Sequence, residues 1–392
     1  NLNRYDFNFG SSIGTDTYFN MGGFTRQGEG GAIKTGFNSQ DGGQFKASVT
    51  KEFDKGSYVR VNFKNLDDKT PALLPVPVQV NNGKISSYPN IDPRNAFFIN
   101  PNITRDVSMD KNGNQVVSNP ANGVHVQSRS IGLEAKLDIG DGWTVEERMR
   151  KTSNSGRWLG MFPDTISGGS TFSGSMFNSS LDNLDNMFND LKASKSFDLN
   201  GGKSVFTGGL FTGSQNLART NWFNTYDVGM NGSGASYSAL TQSGWSHWGP
   251  PKSLDLKYNT KSPYAALNWE KGPLSIEGSV RQNQMTATGQ TISAVTSSAT
   301  TSNSGFYWDP TTLDTVNYKV SKTSFSFGGN YALNSNNSVY ARISDGYNFA
   351  ADRVVEAARR GELNGSRATP VNQLKQQEIG LKSKQGNLSL FG

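Results

Sequence analysis

The chain has 392 residues, of which 44 are glycine, 11% are aromatic and none is cysteine. Without thiols, structural disulfides and thiolate metal sites are excluded. The net charge of +6 is spread along the chain and not gathered into a stripe, which argues against nucleic-acid binding, and no run approaches the ~18 apolar residues of a membrane helix.

Residues 43–68 show the unit from which most of the chain is built. Side chains of a strand alternate between two faces, and here apolar and polar residues alternate in two successive runs. Between the runs, Asp54, Lys55 and Gly56 have the composition of a tight turn. The predicted hairpin has one apolar face, which carries Phe45, Ala47, Val49, Val59, Val61 and Phe63.

Taken in chain order, the same alternation predicts about 14 strands joined by two classes of connection. Tight turns are predicted near residues 14, 55, 140, 201, 272, 335 and 385. Long loops are predicted at about 67–123, 153–181, 216–253 and 288–316, and a fifth loop contains a segment, 352–361, that is compatible with a short helix. The two classes alternate strictly along the chain.

In an up-and-down meander, alternate turns lie at the same end, so one end has short turns and the other has long loops. This asymmetry is typical of a transmembrane β-barrel with short periplasmic turns and long extracellular loops. Aromatic residues beside the short turns indicate an interfacial girdle: Phe53, Tyr58, Trp143, Phe197, Trp269, Tyr331 and Tyr340. The fold class predicted is therefore all-β, an antiparallel up-and-down barrel. A soluble sandwich or propeller with core aromatics is the alternative.

Candidate binding residues lie in the predicted long loops, where large aromatic rings cluster. Aromatic faces stack on sugar rings or aromatic chelators, although loop-on-loop packing explains such a cluster equally well. Arg353 is a candidate for an anionic ligand, with a solvated helix face as the alternative. The candidate rings are those of Trp222, Phe223, Tyr226, Trp245, Trp248, Tyr307 and Trp308.

The sequence contains no complete pattern for catalysis or metal binding. Only two histidines occur, His125 and His247, and neither has a partner at metal-ligand spacing. No nucleophile-elbow or phosphate-loop motif is complete. The sequence therefore predicts no catalytic residue, no metal site, no cofactor and no enzymatic activity.

Several segments resemble the barrel of the TonB-dependent receptors of the Gram-negative outer membrane. They include NRYDFNFG followed by TYFNMGGFTRQGEGGAIKTGF, the hairpin GGQFKASVTKEFDKGSYVRVNFKNLDDKTPALLPVPV, and LDNMFNDLKASKSFDL. Further matches are SVYARISDGYNFAADRVV and LKQQEIGLKSKQGNLSLF. The resemblance covers nearly the whole chain and depends on the order and spacing of these segments as much as on their residues.

The resemblance implies a barrel of about 22 strands, plugged by an N-terminal domain. Residues 1–392 would then be a partial barrel domain, without the plug, the TonB-binding segment and about seven C-terminal strands. Such a receptor captures a scarce ligand, a ferric siderophore or an oligosaccharide, and imports it with energy from the TonB complex. Its partners would be outer-membrane lipid, the plug, the TonB complex and the small ligand. Arg60, Arg148 and Arg281 would face the plug or the solute path.

Two other functions remain open from the sequence. A passive porin-like channel would be a closed barrel of 14 or 16 strands without a plug. A soluble or surface-anchored carbohydrate-binding β-protein would pack its apolar strand faces against each other and not expose them in a band. The sequence does not identify the ligand.

Overall fold

Almost all of the described chain lies in one antiparallel sheet. The computed structural model describes residues 1–29, 34–72, 78–88, 92, 99, 105–167, 171–229, 252–296, 306–349, 371–386 and 388–392. The strands are β1 (Leu2–Ser12), β2 (Thr17–Gly28), β3 (Gln40–Glu52), β4 (Tyr58–Thr70), β5 (Val78–Asn81), β6 (Lys84–Ser87), β7 (Asp106–Met109), β8 (Gln115–Ser118), β9 (Val124–Gly140), β10 (Trp143–Ser167), β11 (Thr171–Asn183), β12 (Asn186–Leu199), β13 (Gly202–Gly229), β14 (Lys252–Lys271), β15 (Leu274–Thr296), β16 (Phe306–Trp308), β17 (Asp314–Ala332), β18 (Asn337–Phe349), β19 (Val371–Gln385) and β20 (Leu388–Phe391).

The sheet is a meander in which each long strand pairs with the next along the chain. The order runs β1-β2-β3-β4-β9-β10, continues through β11 and β12 to β13, and ends β14-β15-β17-β18-β19-β20. Strands β11 and β12 lie end to end between β10 and β13, and β16 extends the row of β17 beside β15. The described residues thus form 14 rows, and the antiparallel up-and-down topology predicted from the sequence is confirmed.

The short turns lie where the sequence predicts them, and their backbone explains why. At 54–56 the chain reverses through Lys55 at φ 59° and Gly56 at φ 71°. Asn200 and Gly201 repeat this arrangement at φ 51° and 72°. Glycine, and to a lesser degree asparagine, takes this left-handed conformation at little steric cost.

Three of the predicted long loops are wrong in their bounds, because the strands continue far into them. β10 extends to Ser167, β13 to Gly229 and β15 to Thr296. In these extensions polar and apolar residues occur at both parities, so the alternation that marks a half-buried strand disappears although backbone pairing continues. The predicted helix at 352–361 lies outside the described residues.

One irregularity inside a long row is a bulge where β11 meets β12. The pairing register with both neighbouring strands shifts by one residue across residues 181–186. Asp185 stabilises the bulge, since its carboxylate accepts from the Asn154 backbone N–H at 2.9 Å and from the Ser153 hydroxyl at 3.1 Å. A bulge turns the side chains beyond it to the other parity without breaking the sheet.

The two faces of the sheet differ in chemistry over the part nearest the short turns. One face, called here the apolar face, leaves its large side chains exposed, among them Val49, Val61, Phe63, Ile131, Leu191, Leu267, Val280, Phe325 and Ile343. The pairing register places all of these on the same side of the sheet. Exposed apolar side chains in a continuous band suit contact with lipid, and they exclude the packing of one apolar face on another that a soluble sandwich requires.

The aromatic residues predicted as a girdle divide between the two faces. Trp143, Phe197, Trp269 and Tyr331 continue the apolar face at the short-turn end. Tyr58 and Tyr340 point to the opposite face by register.

Toward the long-loop end, the polarity of the two faces is reversed. On β14, Leu254, Leu256 and Tyr258 are buried on the side of the sheet that carries the polar residues nearer the short turns. Met285, Ala287 and Val316 of the neighbouring strands complete this cluster. The opposite side of β14 exposes Asp255, Lys257 and Asn259. The band of large exposed apolar side chains on β14 and β15 therefore ends before this level.

The first long connection contains two small hairpins, β5–β6 and β7–β8. The β7–β8 hairpin (Asp106–Ser118) lies against the extended parts of β11 and β13. No helix among the described residues is long and apolar enough to cross a membrane.

Candidate functional site on the polar face

The face opposite the apolar face, called here the polar face, carries a cross-strand network of charges. Asn62 donates to Glu134 Oε1 at 3.0 Å, and Arg60 Nη1 lies 3.7 Å from Glu134 Oε2. Further along, Lys192 Nζ lies 3.0 Å from Glu146 Oε2. Directly opposed residues on one face stand close enough to pair, so the register itself assembles this network.

Two open pockets lie side by side on the polar face and share two aromatic rings. One has a volume of about 620 Å³ and the other about 530 Å³. Phe188 and Phe211 line both pockets and stack on each other at 6.0 Å between ring centroids. These volumes suit a small molecule.

Arg281 is the cation of the smaller pocket, and two aromatic rings hold it. Its guanidinium lies 5.0 Å from the ring centroid of Phe211 and 5.9 Å from that of Tyr264. Its Nε donates to Asn283 Oδ1 at 2.9 Å. Within the described part of the chain no carboxylate forms an ion pair with it, so its charge remains for a ligand. The same pocket is lined by Tyr258, Met285, Ser324, Tyr347 and Phe349.

The other two arginines predicted to face the lumen also lie on the polar face. Arg60 is held by Glu134, donates from Nε to Thr50 Oγ1 at 2.9 Å, and covers the Tyr58 ring at 5.4 Å. Arg148 is exposed and lines the larger pocket. Their contact with a plug or a solute remains a prediction.

Three of the predicted aromatic ligands meet the β7–β8 hairpin. Trp222 and Tyr226 are buried, 4% and 3% exposed, and Trp222 packs with Met109 and with Trp308 at 6.2 Å between centroids. Trp308 Nε1 donates to the Asp110 carbonyl at 2.8 Å. Here the rings pack on protein, which is the alternative left open by the sequence, and their contact with a ligand remains a prediction.

A buried carboxylate fixes the same hairpin. Asp106 is fully buried and accepts hydrogen bonds from Asn178 at 2.6 Å, from Asn224 at 2.8 Å and from the Tyr226 hydroxyl. Burial raises the pKa of the Asp106 carboxyl, and the three hydrogen bonds oppose this rise only in part.

Phe223 points to the opposite side of β13 and belongs to a separate aromatic cluster. It meets Phe177 edge to face at 4.3 Å, and Phe177 in turn contacts Trp158 and Phe162. Tyr307 lies on β16, but its side chain is not described. Trp245, Trp248 and Arg353 lie outside the described residues.

Sequence reasoning missed Phe188, Phe211, Asn283 and Tyr347, which line the smaller pocket with Arg281. Phe188 and Phe211 stand at strand positions where the alternation predicts a polar residue, and that mismatch was the available signal for them. In the described ranges no group of three or more His, Asp or Glu side chains could hold a metal ion.

The chain is similar in structure to receptors that import iron chelates. Against the ferric-catecholate import receptor Fiu of E. coli K12 in its closed form, the TM-score is 0.66 at 12% identity, covering 98% of this chain and 54% of Fiu. The siderophore receptor PiuA of Acinetobacter baumannii gives 0.59 at 14% identity, covering 97% and 53%. BauA, the ferric preacinetobactin receptor of the same organism, gives 0.62 at 13% identity, covering 99% and 50%.

No protein-family model and no curated protein sequence matches the chain. The structural similarity extends over nearly all of this chain but only about half of each receptor. The predicted resemblance, fold class and outer-membrane setting are confirmed at the level of fold. The chain has the fold of the β-barrel of TonB-dependent siderophore receptors of the Gram-negative outer membrane.

Proposed function

We propose that this chain is the barrel part of an outer-membrane receptor that captures a ferric siderophore and imports it with energy from the TonB complex. Transport, not enzymatic catalysis, is the activity that its structural neighbours suggest. A plug domain and the TonB complex are the partners that this function requires, and outer-membrane lipid surrounds the apolar face.

The observation that carries the proposal is the setting of Arg281 in the smaller pocket. Ferric complexes of aromatic chelators are anionic and present flat rings. No described carboxylate pairs with the Arg281 guanidinium, which lies over Phe211 and beside Tyr264 and so offers such a complex both a charge and stacking surfaces. Neutral oligosaccharides also stack on rings, but they gain less from an unpaired cation.

The test is ligand binding by the full-length protein purified in detergent. The probe is the ferric complex of a tris-catecholate, followed by quenching of intrinsic tryptophan fluorescence. Arg281→Gln should weaken binding by about 10- to 100-fold, because it removes hydrogen bonding to a charged group.

The matched control is Arg342→Gln. Arg342 lies on the same face, donates from Nε to Ser326 Oγ at 2.9 Å and does not line the pocket. Equal affinities for the two variants would refute the assignment of Arg281. Binding of a neutral maltooligosaccharide with no effect of Arg281→Gln would favour carbohydrate uptake instead.

Energy coupling is tested separately by uptake of radioactive iron chelate into cells. Uptake should stop when the proton-motive force of the inner membrane is dissipated. Uptake that continues unchanged would indicate a passive channel.

A further inference from the structure

The reversal of polarity on β14, β15 and β17 leaves an outward surface that is rich in lysine. By continuous pairing register, Lys257, Lys261 and Lys319 lie on the same side of the sheet as the apolar residues Leu267 and Phe325. All three lysines are exposed. Their positions are toward the long-loop end, beyond the exposed apolar side chains Leu267, Val280 and Phe325.

The three lysines surround one point on the middle strand. Lys319 stands opposite Thr286 of β15, and Thr286 stands opposite Asn259, which is midway between Lys257 and Lys261. From strand spacing and rise, the three lysine Cα atoms lie about 12 to 14 Å apart. Their flexible four-carbon stems can bring the three ammonium groups to a single bulky anion over β15.

Among the described side chains, no acidic residue neutralises this patch. The other side chains on its outward surface are uncharged, and they include Gln284, Thr288 and Ser321. Asp255 lies two residues before Lys257 on β14, and its Oδ2 is 3.2 Å from Lys111 Nζ of the β7–β8 hairpin. Among the described contacts, Lys257, Lys261 and Lys319 have no hydrogen bond or ion pair, so their charge faces outward uncompensated.

We propose that this patch, called the lysine triangle, binds the phosphorylated headgroup of a glycolipid in the outer leaflet of the surrounding membrane. The patch is continuous with the lipid-facing band, so its occupant is a lipid and not a soluble ligand. This inference depends on the outer-membrane setting in the proposed function, but not on the identity of the transported ligand.

The height of the triangle decides the class of lipid. Thr286 is six residues beyond Val280, the large exposed apolar side chain of β15. At the usual strand rise and tilt, this places the centre of the triangle about 15 Å above the apolar band. The headgroup layer of an ordinary phospholipid bilayer adds only about 5 to 7 Å on each side of the hydrocarbon core. A sugar headgroup that carries phosphates reaches this level, and a simple phosphoglycerol headgroup does not.

The test measures lipid retention by the full-length protein in detergent micelles, using native mass spectrometry. The probes are lipopolysaccharide with a phosphorylated core and, separately, phosphatidylglycerol. The variant is Lys257→Gln with Lys261→Gln and Lys319→Gln. Each lysine near a lipid surface is expected to contribute about fivefold, so the triple variant should retain lipopolysaccharide about a hundredfold less tightly.

The matched control removes three exposed lysines near the short turns, Lys51, Lys203 and Lys384, with the same change of net charge. This control should retain lipopolysaccharide as the unmodified protein does, and a Lys→Arg triple variant at the triangle should too. Equal losses in the triangle and control variants would reduce the effect to net charge and overturn the proposal. Phosphatidylglycerol binding as tight as that of lipopolysaccharide would overturn the assignment of a glycolipid.

The two proposals fail separately. If ferric chelates do not bind but lipopolysaccharide retention depends on the triangle, the proposed transport function falls and the lipid site stands. If chelate binding depends on Arg281 and the triangle variant retains lipopolysaccharide normally, the lipid site falls alone.

Discussion

Removing the Asp106 carboxylate should release the β7–β8 hairpin from the sheet. Asp106→Ala takes away the acceptor shared by Asn178, Asn224 and Tyr226, all in a fully buried setting. Asn224 keeps a second bond, to the Val107 carbonyl at 2.7 Å. Asn178 Nδ2 and the Tyr226 hydroxyl therefore each lose the hydrogen bond to this buried carboxylate.

The expected change in the free energy of hairpin opening follows from these contacts. A buried donor that loses its acceptor costs about 1–3 kcal/mol, and relief of the carboxylate's own desolvation offsets part of the sum. We expect the free energy of hairpin opening to fall by about 2–4 kcal/mol, which raises the open population by roughly 30- to 700-fold.

Asp255→Ala is the natural comparison. It also cuts a link between hairpin and strand, the ion pair with Lys111, but both side chains of that pair are half exposed. Such surface pairs contribute about 0–1 kcal/mol. The two variants make the same substitution in the same region and should differ strongly in effect.

Amide hydrogen exchange of residues 106–118, followed by mass spectrometry, reports this local opening. Protection should collapse in Asp106→Ala and remain nearly unchanged in Asp255→Ala. If the two variants exchange at the same rate, the buried network does not hold the hairpin and the argument from burial is wrong.

Three further predictions follow from single contacts. Because burial raises the pKa of Asp106, the β7–β8 hairpin should be held most tightly to the sheet below the ordinary pKa of aspartate, and less tightly as pH rises through the raised pKa. Amide hydrogen exchange of the hairpin measured from pH 4 to 8 should show this trend, and Asp106→Asn should abolish it. Arg26→Gln should lower the Tm by several degrees, since Arg26 forms a bidentate pair with Asp68 at 2.5 and 2.9 Å and both side chains are mostly buried; a Tm equal to that of the unmodified protein would contradict this. Gly23→Ala should impair folding, judged by heat-modifiable migration in gels, because a Cβ there would lie 1.9 Å from the Gln44 carbonyl oxygen, whereas Gly329→Ala, with its nearest atom at 3.7 Å, should fold normally.

The membrane-spanning part of the fold could be predicted from sequence because it is a local pattern. Alternation of apolar and polar residues, as in Phe45 to Val49, depends only on which face meets lipid. Turn chemistry at Lys55–Gly56 and Asn200–Gly201 then determined where the chain reverses. Both signals lie within a few neighbouring residues, so no knowledge of distant contacts was needed.

The strand extensions could not be predicted in the same way. Residues 154–167 and 216–229 pair as strands although they lie beyond the large exposed apolar side chains of β12 and β13. Backbone pairing with the next strand holds them, and it leaves no period of two in the side chains.

The candidate site shows the same division. The sequence alone determined that Arg60, Arg148 and Arg281 share the polar face, because parity along a strand is a local property. Only the tertiary structure decided that Arg281 meets Phe211 and Tyr264, that Trp222 is buried by the β7–β8 hairpin, and that the two faces exchange polarity above the band. These outcomes depend on residues far apart in the chain, brought together by strand register and loop packing, and no short stretch of sequence encodes such contacts.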